Sequence, residues 1–165
     1  MKIIVNAEIT GTYYTKDNVC KYASVMRSFN HPNIVHMVGA SSDPLCLVTE
    51  FGELGCLSDI IRINPSKLTW ARIKSISLEA ARGMSFLHGQ QPPFLHQNLT
   101  SNNVMVTEFW SVKICDAGLT SVLKESGEYK ISYPKRWSAP EVLLGRVYTT
   151  KADVYVCSSC LVDFF

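Results

Sequence analysis

The stretch TWARIKSISLEAARGMSFLH, residues 69–88, sets the first limit on what this chain can fold into. Ile73, Ile76, Ala80, Met84 and Leu87 recur at helical spacing and fall on one apolar stripe. Thr69 stands where an N-cap hydroxyl is wanted. A helix of this length needs a partner layer for its stripe, and the residues upstream can supply one. Residues 2–9 alternate loosely around isoleucine and valine, as a strand does. Residues 16–29 place Val19, Tyr22, Ala23, Met26 and Phe29 at helical spacing, and HPN at 31–33 stops that helix. IVHMVGA and LCLVTEF read as two strands joined by the turn-rich SSDP. GELG at 52–55 breaks the pattern and opens onto a short helix around CLSDIIR. Beyond the long helix, VMV and VKI are short strands, 119–136 is loop-like, and ADVYVCSSCLVDFF is apolar enough for a buried helix. Strands first and helices later predict an α+β fold.

Composition narrows the function classes. The 165 residues suffice for a domain with its own core, and 47% hydrophobic against 18% charged content is globular rather than disordered. A net charge of +2 gives no footprint for nucleic acid or an anionic membrane. No apolar run approaches the ~20 residues that span a bilayer, and MKIIVNAEIT turns polar too soon for a secretory signal. The expected setting is cytoplasmic. Cys157 and Cys160 form a C-x-x-C, but no second C-x-x-C or nearby histidine pair completes a zinc site. Reduced thiols packed on a helix are the simpler reading.

One frame carries chemistry. His96, Gln97, Asn98 and Leu99 are followed after three residues by Asn103, the spacing of H-R-D-L-x-x-x-N. Asp116-Ala117-Gly118 comes 13 residues after Asn103, and Ala139-Pro140-Glu141 begins 21 residues beyond Gly118. That is the order of D-F-G and A-P-E around an activation loop. HPNIVHMVGA and CLVTEFGELGCLSDI resemble small-lobe strands and a hinge. ARGMSFLH resembles the helix that leads into a catalytic loop, and KADVYVCSSCLV a central large-lobe helix. Seven segments in one order cover nearly the whole chain, which therefore resembles a protein kinase domain. RWSAPE at 136–141 is similar to the tyrosine-kinase and tyrosine-kinase-like branch, whereas TSN at 100–102 matches neither substrate class.

The resemblance implies a two-lobed α+β fold, truncated at both ends. Residues 1–52 would be the remainder of the small lobe and hinge, without Gly-rich-loop strands, and 53–165 a partial large lobe ending in its central helix. It implies ATP and Mg²⁺ as ligands, and the departures from the pattern imply that binding is weak or absent. Lys2 stands at the phosphate-pairing lysine, or is an ordinary charge at a chain end. Tyr22 falls where that lysine's glutamate partner belongs, and Asp17 is the helix's only acid. Asn98 occupies the general-base position, yet an amide accepts no proton to a useful extent. Thr100 replaces a phosphate-contacting lysine, and Gln97 the arginine that receives an activation-loop phosphate.

Asn103 and Asp116 match the two metal ligands, and Mg²⁺ asks for only one or two carboxylates plus phosphate oxygens. Thr49 matches the gatekeeper, with Glu50 and Gly52 supplying backbone groups for adenine. His96 is expected in the core. Ser126, Tyr129, Ser132 and Tyr133 are loop polars open to phosphorylation. The leading expectation is an impaired kinase, a pseudokinase acting in signalling through protein partners and ATP. An active kinase with atypical residues, and an interaction module that keeps only the fold, are the alternatives.

Overall fold

The computed structural model describes residues 3–6, 15–119 and 137–162, of which 3–6 and 160–162 are described by their backbone. Lys2, Ser126, Tyr129, Ser132 and Tyr133 lie outside the described residues.

Strands β1 (Ile3–Asn6), β2 (Met37–Ser42) and β3 (Leu45–Glu50) form an antiparallel sheet in the order β1–β3–β2. Helix α1 (Lys16–Ser28) lies against β2 and β3. Its N-cap is Thr15, whose hydroxyl accepts from the Asn18 N–H at 3.2 Å. Val19, Tyr22, Ala23 and Met26 point into the core, as the periodicity requires. At Phe29 the backbone is already extended, two residues ahead of His31-Pro32.

A second antiparallel sheet runs β4 (Gly55–Cys56), β5 (Val104–Val106), β6 (Val112–Ile114). It holds both short strands expected from VMV and VKI. Helix α2 (Leu57–Ile63) follows β4, and α3 (Trp70–His88) packs on β6. The N-cap of α3 is Thr69, accepting from the Arg72 N–H at 3.3 Å. Its buried stripe is Ile76, Ala80, Gly83, Met84 and Leu87, while Ile73 in the first turn is only half-buried. A Cβ at Gly83 would lie 2.7 Å from the Asn33 carbonyl oxygen, so a glycine is what lets α3 approach the chain there.

Asn33 joins the two sheets. Val35 N–H donates to the Ile114 carbonyl and Ile114 N–H to that of Asn33, each at 2.9 Å. The buried Asn33 amide donates to the Val112 carbonyl at 3.0 Å and to Glu79 at 3.1 Å. Two further helices, α4 (Pro140–Leu143) and α5 (Thr150–Val162), complete the described chain. The terminal helix is not wholly buried: Ala152, Asp153 and Val156 face inward, but Val154 and Tyr155 are exposed. Among the described residues no helix is long and apolar enough to cross a membrane.

Candidate functional site

Thr49, Glu50 and Gly52 at the end of β3 meet Asp116 across a cleft of about 280 Å³, at the lower edge of ligand-pocket sizes. The same cleft is lined by Cys56, Asn102, Met105 and Cys115, none of which the sequence had singled out for it. Met105 was findable in principle, since it stands in a short strand two residues past Asn103. Its side chain fills the space a Cβ at Gly52 would need. The Glu50 carbonyl accepts from the Thr49 hydroxyl at 3.0 Å, and that of Gly52 from the Gly55 N–H at 3.0 Å. The Glu50 carboxylate is turned to other work: it accepts from His36 N–H at 2.7 Å and pairs with Lys113 at 2.8 Å.

Asp116 sits at φ 56, a left-handed conformation that aspartate tolerates better than most residues. Burial pushes its carboxyl up from the ordinary carboxylate range, and no donor among the described residues relieves it. Burial, and then the Asp116 charge, push the neighbouring Cys115 thiol up as well, so it stays protonated. Tyr22 of α1, in the place of a glutamate, is almost fully buried. Burial first, then the charges of Asp116 and Cys115, hold its phenol well above the ordinary value. The helix thus offers this corner a neutral hydroxyl rather than a carboxylate.

His96, Gln97, Asn98 and Thr100 form the loop before a short 3₁₀ turn at Ser101–Asn103. Asn103 braces it, its amide donating to the Asn98 carbonyl at 2.7 Å and its own carbonyl accepting from Cys115 N–H at 2.9 Å. Asn98 and Thr100 line a tight pocket with Gln97, Trp137, Ser138, Tyr148 and Val156; neither they nor Asn103 are among the residues that line the cleft of Asp116, which Asn103 adjoins through its carbonyl's bond to Cys115 N–H. His96 is fully buried, and burial lowers its pKa to about 4 against the opposing charge of Asp153. It is a neutral core histidine at ordinary pH.

The loop owes its shape to a residue that sequence reading passed over. Asp153, fully buried at the start of α5, accepts from His96 N–H at 2.8 Å and Gln97 N–H at 2.9 Å. It also accepts from the Tyr148 hydroxyl at 2.7 Å and meets His88 Nε2 at 3.0 Å. Two adjacent backbone amides captured by one carboxylate hold Gln97 at φ 66, a conformation that is strained for a non-glycine residue. A lone acid inside the apolar run ADVYVC was the available signal.

The D-A-G turn is tightly seated. Ala117 is fully buried, Gly118 N–H donates to the His96 carbonyl at 3.2 Å, and Gly118 adopts φ +72. The Phe94 ring occupies the position a Cβ on Gly118 would take, and Phe94 stacks edge-on to Phe29 at 5.0 Å. Met26 is fully buried in the same core.

For a nucleotide and Mg²⁺, the donor set fits in kind. Asp116 offers a carboxylate without a donor, Asn103 has its amide nitrogen engaged so that its oxygen remains to accept, and both are the hard oxygen ligands Mg²⁺ prefers. Among the described residues no cluster of three His, Cys, Asp or Glu side chains forms a protein-only metal cage. Such ions would therefore depend on phosphate oxygens.

This frame, with a hinge strand over a cleft, a bracketed catalytic loop and an acidic turn beyond it, defines a two-lobed α+β kinase-like domain. The family model for protein tyrosine and serine/threonine kinases matches residues 2–165, and the chain belongs to that family. It is similar to the probable serine/threonine-protein kinase drkB of Dictyostelium discoideum, 35% identical over 134 residues, 80% of this chain and 19% of that protein. The dual specificity protein kinase pyk3 of the same organism is 34% identical over 155 residues, 94% of this chain and 11% of that protein. The probable serine/threonine-protein kinase SIS8 of Arabidopsis thaliana is 36% identical over 145 residues, 86% of this chain and 14% of that protein. The chain spans about a fifth or less of the length of these relatives.

Proposed function

We propose that this domain is a catalytically impaired kinase of the tyrosine-kinase-like branch, a pseudokinase that acts in signalling through protein partners and holds Mg-nucleotide weakly. Residues 1–52 serve as its small lobe and hinge, and 53–165 as its large lobe. The observation that carries the reading is Asn98: an amide stands at the base position of a loop whose frame Asp153 and Asn103 otherwise keep in order. Phosphoryl transfer is mostly positioning plus charge stabilisation. Thr100 adds no charge, and the neutral phenol of Tyr22 stands where a carboxylate would orient a lysine. Thr49, Glu50 and Gly52 would orient the base of the nucleotide, while Asn103 and Asp116 would hold the metal, which supplies charge neutralisation at the phosphates. Asn98 can hydrogen-bond an acceptor hydroxyl without taking its proton. The free cysteines among the described residues suit a reducing, cytoplasmic setting.

A ligand that binds only the folded state stabilises it by RT ln(1 + [L]/Kd), so millimolar affinity yields under ~1 kcal/mol at millimolar ligand. Melting curves with and without Mg-ATP should show a small, Mg²⁺-dependent rise. A shift that corresponds to micromolar affinity would contradict weak holding. No shift at saturating nucleotide would favour a pure interaction module.

One observation favours an active enzyme instead. Burial raises the Asp116 carboxyl above its ordinary value, and the relatives are named as kinases. Asp116 would then have to serve both metal and proton. Labelled phosphate appearing on an acceptor protein, above a D116N control, would establish that second reading.

A further inference from the structure

Most donor side chains that line the cleft are already spent. The Thr49 hydroxyl donates to the Glu50 carbonyl at 3.0 Å, the Cys56 thiol to Asp59 at 2.8 Å and the Cys115 thiol to the Lys113 carbonyl at 3.7 Å. Glu50 and Asp116, as carboxylates, bring only acceptors. Asn102 remains, exposed in the 3₁₀ turn Ser101–Asn103 and part of the same lining.

Which end of its amide faces the cleft is set from α2. Ser58 Oγ lies 2.5 Å from Asn102 Oδ1, a separation that suits O–H···O and is too short for N–H···O. The proton count agrees. Cys56 Sγ stands 3.1 Å from the same hydroxyl, but its proton goes to Asp59, whose other oxygen takes Arg62 Nη2 at 2.9 Å. Those bonds, the thiol's first, hold the Asp59 carboxyl below its ordinary value, so it is an acceptor at neutral pH. The Ser58 hydroxyl keeps its proton for Asn102. The Asn102 oxygen is thereby occupied, and its Nδ2 donors are left without a partner among the described residues. Asn103 beside it is the reverse case, with Nδ2 spent on the Asn98 carbonyl and the oxygen left. Adjacent asparagines thus offer the site an acceptor and a donor.

We infer that Asn102 is a ligand-binding residue of the cleft, donating from Nδ2 to an oxygen of the bound nucleotide, and that Ser58 is the positioning residue that fixes its amide in that sense. The inference rests on the nucleotide reading proposed above and adds a donor side chain to it. The oxygen belongs to the sugar or to a phosphate, since both accept from an amide.

NMR titration of the ¹⁵N-labelled full chain with Mg-ATP, and separately with adenosine, tests it. In the parent the Asn102 side-chain N–H signals should shift as the cleft fills. N102D keeps an acceptor for Ser58 and loses the donors that face the cleft, so its Mg-ATP Kd should rise about tenfold. N102L, neutral and without donors, should match it, which separates lost donors from added charge. S58A frees the amide to turn and should cost about threefold, while S58T keeps the hydroxyl and should bind as the parent does. A loss seen in N102L with adenosine as well assigns the bond to the sugar, and a loss with Mg-ATP alone assigns it to a phosphate. Unchanged affinity in N102L overturns the inference and leaves the nucleotide reading in place, and so do Asn102 signals that stay still while other cleft signals move. No shift in the parent with either probe sinks the nucleotide reading and the inference with it. If S58A fails to fold, N102D and N102L decide.

Discussion

At the scale of single residues the site is a collection of groups held away from their ordinary charge states. His96 is the plainest case, for burial lowers its pKa to about 4 while an unfolded histidine titrates near ~6.5. Between those values the unfolded chain binds the extra proton and the folded chain does not. Its contribution is therefore fully present above the unfolded value and is lost as pH falls toward the folded one. Denaturant midpoints should decline from pH 7 to pH 4, by up to a few kcal/mol of stability, and H96N should flatten that decline. Asp116 acts in the opposite sense, since burial raises its carboxyl and acid relieves the buried charge. The variant thus isolates the histidine. A decline of equal size in H96N would mean that other groups carry the acid sensitivity.

At the scale of elements, two contacts between segments far apart in sequence hold the loop at His96–Gln97 and the approach of α3 to the chain at Asn33. Asp153 satisfies two backbone amides, a phenol and a histidine. Asparagine has one acceptor oxygen and brings two donors of its own, so D153N leaves buried donors facing donors. Loss of ~2–4 kcal/mol is expected, read as a lower denaturant midpoint and faster exchange at the Gln97 amide. Gly83→Ala tests the other contact. Alanine favours a helix interior by ~1 kcal/mol, but here its Cβ would press on the Asn33 carbonyl at 2.7 Å and Ile114 at 2.9 Å. G83A should melt lower than the parent, and S85A on the exposed face should melt no lower.

These contacts also mark what the sequence could say. The stripes of α1 and α3 and the Thr69 cap were legible because helical periodicity and capping are local. Thr49, Glu50, Gly52 and Asp116 were legible as one cleft only through the ordered motifs. Asp153 escaped because its partners at His96 and Gln97 are 57 and 56 residues away, and Lys113 escaped for the same kind of reason. No short window contains either pair.

At the scale of the whole molecule, catalysis in this family needs parts from both sheets and the loop between them to agree, and under the reading proposed above they agree in shape but not in chemistry. The D-A-G turn is seated by Phe94, whose ring stands against Gly118, and Ala117 is fully buried although its side chain is small. Lys113 of β6 pairs with Glu50 at the end of β3 at 2.8 Å and so links the two sheets. On that reading Asn98, Thr100 and Tyr22 each put a neutral group where a charged one is expected. Asn98→Asp alone should therefore leave phosphate transfer at background, although it rewrites the residue that departs most plainly from the pattern. Members of a catalytic constellation act as a unit, and restoring one contributes little while the others are missing. The new carboxylate would act on a phosphate that the uncharged Thr100 does not hold. Tyr22 would still present a phenol where an acid should orient a lysine. Positioning alone can account for several kcal/mol of a barrier. Incubating purified N98D with labelled ATP, Mg²⁺ and a generic acceptor should give no more labelling than the parent. The triple variant N98D/T100K/Y22E should be the first to rise above it. Robust labelling by N98D alone would show that Thr100 and Tyr22 limit nothing, and that the geometry held by Asp153, Asn103 and Lys113 was sufficient once a base was present.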